Sequence, residues 1–127
     1  MAFSHTLTRS FSSGSSTVTS SKTYSAGAEV NLDEALAANA TDYGIAAAID
    51  VSALQSLFLY CDVACTIEVN STSSPTATIV LPAGEAYLWP NGSATNPLGG
   101  TDVTTLYCTI GSTAGTLQMR ALVDPTP

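Results

Sequence analysis

From Leu54 onward the chain breaks into short β-branched or aromatic runs, and this punctuation constrains its fold more than any other feature. The runs are "LQSLFLYCD", "CTIEVN", "TATIVLP", "EAYLWP", "TTLYCTI" and "TLQMRALV", separated by "NSTSSP", "PAGE", "PNGSATNPLGG" and "GSTAG". Each run is too short for a stable helix and rich in side chains that pack well on a pleated surface, while the separators hold turn-forming Gly, Pro, Asn and Ser. Strands recurring about every eight to twelve residues predict an all-β, antiparallel β-sandwich of jelly-roll or Ig-like type, with about eight to ten strands.

Upstream of Leu54 the pattern is weaker. In "IAAAIDV", Ile45, Ala47, Ile49 and Val51 share one face of a strand. "NLDEALAANA" admits two readings. Asn31 can N-cap a short helix carrying Asp33 and Glu34 in its first turn, with Leu32 and Leu36 four apart. As a strand, it places Val30, Leu32 and Leu36 together before a turn at "NATDYG", and this reading is slightly favoured. Residues 1–28 are dominated by Ser and Thr, with Phe3, His5, Leu7, Arg9 and Phe11 on one parity and "SSGSS" as a turn. That predicts a polar hairpin or extended arm over 1–28, appended to a sandwich over 29–127. Too few large apolar residues face one way for the arm to stand alone, so it needs a neighbour, from its own domain or from another subunit.

The three thiols are the first candidates for chemistry. Alternation puts Cys61 with Leu57 and Leu59, Cys65 with Ile67 and Val69, and Cys108 with Leu106 and Ile110, all on the apolar side. Free cysteine behaves as a small, deeply buried hydrophobe, which is the preferred reading. "LFLYCDVACTIEV" then reads as a hairpin turning at Asp62. A Cys61–Cys65 disulfide across that hairpin is the alternative, weakened by the odd count and the absence of a visible signal peptide. A zinc site wants four ligands, and His5 alone does not readily complete three thiols.

Other chemistry fares no better. His5 is the sole imidazole available to a nucleophilic triad, and among terminal hydroxyls it reads as solvated. Paired acids for glycoside chemistry could come from Asp33, Glu34, Asp42, Asp50, Asp62, Glu68, Glu85 and Asp102, but these fall at turns and solvent faces. Tyr60, Tyr87, Trp89 and Tyr107 could line a sugar-stacking face, although Trp89 before "PNG" reads better as a core cap. The sequons at Asn39, Asn70 and Asn91 are expected by chance in a chain this rich in Ser and Thr. No catalytic, cofactor-binding or metal-binding residue is therefore expected, and no cofactor.

Composition narrows the partners. Only 10% of residues are charged, and ten acids face Arg9, Lys22 and Arg120 for a net charge of −7. So few cations cannot neutralise many phosphates, so nucleic acid and anionic membrane surfaces are excluded as partners. Ser and Thr make up about a quarter of the chain, well above ordinary usage. A surface of short side chains loses little entropy on being covered, which suits packing between subunits.

Over Glu29 to "ALVDPTP" the chain resembles small all-β virion proteins of tailed bacteriophages. The resemblance is carried by "IDVSALQSLFLY", "EVNSTSSPTATIVLPAG", "AYLW", "TDVTTLY" and "RALVDPTP". In that family the segment matching "CDVAC" is typically polar, so the cysteines here are a departure from it. The resemblance implies a structural, non-enzymatic component on the outer capsid surface, such as a head decoration (cement) protein. Its partners would be the major capsid protein or other virion proteins and its own copies, with a trimer favoured. The arm over about residues 3–25 would anchor it to a neighbour or to the capsid lattice. A carbohydrate-binding or host-adhesion module on a tail or fibre is the alternative.

Overall fold

The computed structural model describes residues 2–91 and 96–124. The middle of the "PNGSATNPLGG" turn, including part of the Asn91 sequon, and the closing "PTP" lie outside the described residues. Among the described residues ten strands are formed: β1 (Phe3–Ser13), β2 (Ser16–Ala26), β3 (Ala28–Leu36), β4 (Tyr43–Ile49), β5 (Leu54–Cys61), β6 (Cys65–Val69), β7 (Thr78–Leu81), β8 (Tyr87–Pro90), β9 (Val103–Ile110) and β10 (Gly115–Val123). β1 and β2 make a two-stranded sheet of their own. The other eight form two four-stranded antiparallel sheets, in the orders β3-β10-β5-β8 and β4-β9-β6-β7.

The pairing is nested. The first of the eight strands pairs with the last, the second with the seventh, the third with the sixth and the fourth with the fifth. That is the topology of a jelly roll, a long hairpin wrapped into a double sheet, and it decides against the Ig-like alternative. Alternation along each strand builds the core between the sheets. Leu57, Leu59, Leu117 and Met119 from one sheet and Ile67, Val69, Leu106 and Val103 from the other are all essentially inaccessible. Each such side chain contributes about 1.5–3 kcal/mol from apolar burial, which is what fixes the register.

The ambiguous segment is a strand. β3 pairs along its whole length with β10, Leu32 opposite Met119 and Leu36 opposite Gly115. Val30, Leu32 and Leu36 thereby reach the core side, which a helix could satisfy only with Leu32 and Leu36. The chain leaves β3 through Asn39 and Asp42, both left-handed at φ 62° and 49°, a conformation that Asn and Asp tolerate best among non-glycine residues.

"LFLYCDVACTIEV" is not a hairpin. β5 lies in one sheet and β6 in the other, and the link Asp62–Ala64 crosses between them. Inward-facing alternation is the same for a hairpin and for an arch that crosses the core, so periodicity could not separate the two. The arch is held by Asp62, whose Oδ1 accepts from the Thr116 amide at 2.8 Å. Gly115 leaves room for it, because a Cβ there would lie 2.5 Å from Val63 Cγ2 and 2.7 Å from Asp62 Oδ1.

The β1–β2 hairpin pairs without a break from Phe3↔Ala26 to Ser13↔Ser16 around Gly14. Its base lies against the outer face of the β3-β10-β5-β8 sheet, touching β5 and β10. Leu7, Ala26 and Leu122 are buried there, apart from the main core. From Thr8 to Thr23 every residue is exposed. No helix among the described residues is long and apolar enough to cross a membrane.

Candidate functional site

The polar groups that come together do so where the hairpin meets the sandwich. β5 directs Leu57, Leu59 and Cys61 inward, so Ser56 and Phe58 face outward, where the hairpin covers them. Ser56 is nevertheless fully buried, and it is the one buried polar side chain of the described residues. His5 on β1 satisfies it, with Nδ1 3.2 Å from Ser56 Oγ, while its Nε2 lies 2.9 Å from Glu29 Oε2 on β3. A neutral imidazole protonated at Nε2 serves both contacts, donating to Glu29 and accepting from Ser56. The His5 hydrogen bond holds the Glu29 carboxyl below its ordinary value, helped by donation from Asn31.

His5 is thus not the solvated residue that its terminal position suggested; its side chain is 13% exposed. Nothing in the sequence tied it to Ser56, 51 positions away. The available signal was the outward face of β5, where Ser56 stands beside Phe58 on a strand that a second layer has to cover. Ser, His and Glu in a chain are the parts of a nucleophilic triad. With Ser56 Oγ wholly buried beneath the hairpin, a substrate carbonyl has no approach to it, and the contacts fasten the hairpin down. Arg9 adds a second fastening, its Nη2 donating to the Leu88 carbonyl at 2.9 Å.

Beside this seat lies an open cavity of about 560 Å³, lined among others by His5, Glu29, Asn31, Phe58, Leu88 and Arg120. Its strongest polar groups are already engaged. Arg120 donates to the Leu32 and Met119 carbonyls and, through Nη2, to both Asp33 oxygens at 2.9 and 3.2 Å. That hydrogen bond, with one from Gln118, holds Asp33 below the ordinary carboxyl value.

The three cysteines are free and buried. Cys61 reaches the core from one sheet and Cys65 and Cys108 from the other, and the Cys65 thiol interacts with both of the others. Burial pushes the Cys61 thiol up, and the contact with Cys65 together with burial pushes Cys108 up. The same contact draws Cys65 down, but the upward direction governs the cluster, since the sulfurs sit in apolar packing that disfavours a thiolate.

The remaining candidates are dispersed. Trp89 is buried against the core, Tyr60 and Tyr107 lie on the outer faces of opposite sheets, and Tyr87 stands at an edge strand, so no stacking platform forms. Two carboxylate pairs do meet. Asp50 neighbours Asp102, but Asp50 caps the Val51–Ala53 turn through Ser52 and Asp102 accepts from the Val51 amide. Asp42 neighbours Glu68, which is pushed above the ordinary carboxyl value by burial and by the Asp42 carboxyl. Comparison with protein-family models, with curated proteins and with solved structures returns no match.

Proposed function

We propose that the chain is a structural virion protein of a tailed bacteriophage, a decoration protein that binds the outer surface of the head and stabilises it, and not an enzyme. The observation that carries this reading is the hairpin: a rigidly seated base followed by sixteen exposed residues, Thr8 to Thr23, with both strand edges unpaired. A two-stranded ribbon is marginal in water without a third layer, so the projecting half is built to be completed by a partner. The jelly roll is an architecture of virion and lectin domains alike, so it supports the reading without deciding it. The acidic charge supports an outward position, since packaged DNA repels it. Major capsid protein and further copies of the chain are the partners this reading requires, with a trimer favoured.

The test is co-sedimentation with purified heads that lack the protein. Removing the whole arm would strip Ser56 and Leu122 of their cover, so the cleaner variant replaces residues 10–19 with a short turn and keeps His5 and Leu7. Wild type should bind and the shortened protein should not. Equal binding by both would overturn the assignment of the hairpin as the anchor, and no binding by wild type would overturn the decoration reading itself.

A further inference from the structure

The two ends of the charge distribution are separated along the chain. Before Glu29 there are Arg9 and Lys22 and no acid; from Glu29 on, Arg120 stands alone against all ten acids. The hairpin therefore carries +2 and the sandwich −9, which together make the chain's −7. Within the hairpin the cations share a face with its apolar residues. Leu7 is opposite Lys22, Arg9 opposite Ser20 and Phe11 opposite Val18, and directly paired residues point the same way. The near end of this face is seated on its own sandwich. The far end runs roughly 13 Å beyond Arg9 and covers nothing. There Phe11 is 64% and Val18 62% exposed, a cross-strand apolar pair with Arg9 beside it.

The sandwich has two outer faces. The β3-β10-β5-β8 face is occupied by the hairpin base. The β4-β9-β6-β7 face is open and built mostly of short side chains, Gly44, Ala46 and Ala48 on β4 with Thr66, Thr105 and Thr109 alongside, around one large ring, Tyr107, which lies beside Gly44. It ends at β7 in Val80, 69% exposed. No cation belongs to any of these four strands, yet Asp42 and Glu68 meet on this face.

We infer that the hairpin tip of one copy docks on the open β4-β9-β6-β7 face of a second copy, laying Phe11 and Val18 on its small residues beside Tyr107 and bringing the cationic hairpin, through Lys22, toward Asp42 and Glu68, while Arg9 keeps its bond to the Leu88 carbonyl at home. The inference rests on the proposed function and deepens its homo-oligomer element: the tip holds the copies together, and the assembled oligomer is what binds the head, so a chain without its tip loses both. The tip continues, on the neighbour, the contact its base makes at home. A tip-to-face contact is heterologous, so it closes into a ring or runs on as a filament.

Sedimentation velocity on the full chain tests this. Wild type should self-associate, and Phe11→Ser with Val18→Ser should weaken association roughly 100-fold or more while leaving the β-sheet circular dichroism unchanged. Lys22→Glu should weaken the oligomer, Glu68→Lys should do the same, and mixing the two weakened proteins should restore mixed complexes of both, because the new acid on one hairpin then meets the new cation on the other's face. A wild type that stays monomeric, an oligomer indifferent to Phe11 and Val18, or a mixture that fails to reassociate would each overturn the inference. Capsid binding by a monomer through the tip would overturn it too, while leaving the decoration reading intact. Hairpin-dependent oligomers that ignore capsids would do the reverse.

Discussion

Replacing His5 with alanine should free the hairpin without unfolding the sandwich. The imidazole makes two contacts, to Ser56 Oγ at 3.2 Å and to Glu29 Oε2 at 2.9 Å. Ser56 has no exposure, so its hydroxyl loses its partner in a place it cannot leave. Stranding a buried hydroxyl costs about 1–3 kcal/mol, and a middle value near 2 kcal/mol corresponds to roughly a 30-fold shift in the docking equilibrium. The loss falls on the hairpin because its small apolar seat, Leu7, Ala26 and Leu122, is separate from the core between the sheets. Native-state hydrogen exchange reads this directly. Amides of residues 3–8 and 21–26 should lose about 30-fold in protection, and those of β5, β6, β9 and β10 should keep theirs. Adding Ser56→Ala should recover part of the loss, because the stranded group is then gone. Equal loss of protection in the core strands would refute the separation of seat from sandwich, and an unchanged hairpin would refute the latch.

Four further outcomes follow from the same geometry. Glu29 has its carboxyl lowered in the fold, so its contribution to hairpin docking is fully present above the ordinary value of 4.5 and is lost as pH falls through the lowered one; exchange at residues 3–8 should accelerate over that acid window, with no change between neutral and mildly alkaline pH from this group. Glu68 is raised, so acidification relieves the Asp42–Glu68 repulsion, and Glu68→Gln should leave denaturant stability at neutral pH equal or higher while weakening self-association. Gly115→Ala drives a methyl to 2.5 Å from Val63 and should cost about 1–3 kcal/mol in urea unfolding, as overpacking does. An aromatic disulfide reagent should label Cys61, Cys65 and Cys108 only as fast as the protein unfolds, and rapid labelling of Cys61 or Cys65 in native protein would contradict their burial.

Alternation made the sandwich legible. Period-two alternation in "LFLYC", "CTIEV" and "LYCTI" places each cysteine and its neighbours on the core side, where they are buried. It could not say which strands share a sheet, because an inward face looks the same in a hairpin and in an arch across the core. Asp62–Ala64 is such an arch, and only the nested pairing of β3 with β10 and β4 with β9 requires it. The hairpin seat was illegible for a different reason. His5, Glu29 and Ser56 are separated by 24 and 51 residues, and each is unremarkable in its own local pattern. What joins them is the second layer over the outward face of β5, which local periodicity does not encode.

The proposed role places the chain on the particle's outer surface, held by a projecting hairpin. Cryo-electron microscopy of the intact particle, with copy number by mass spectrometry, tests that most directly. The prediction is on the order of hundreds of copies on the outside of the head, in closed symmetric clusters with each hairpin tip resting on a neighbouring copy. A handful of copies at the tail or connector would contradict the decoration role, and absence from the particle would contradict the virion assignment altogether.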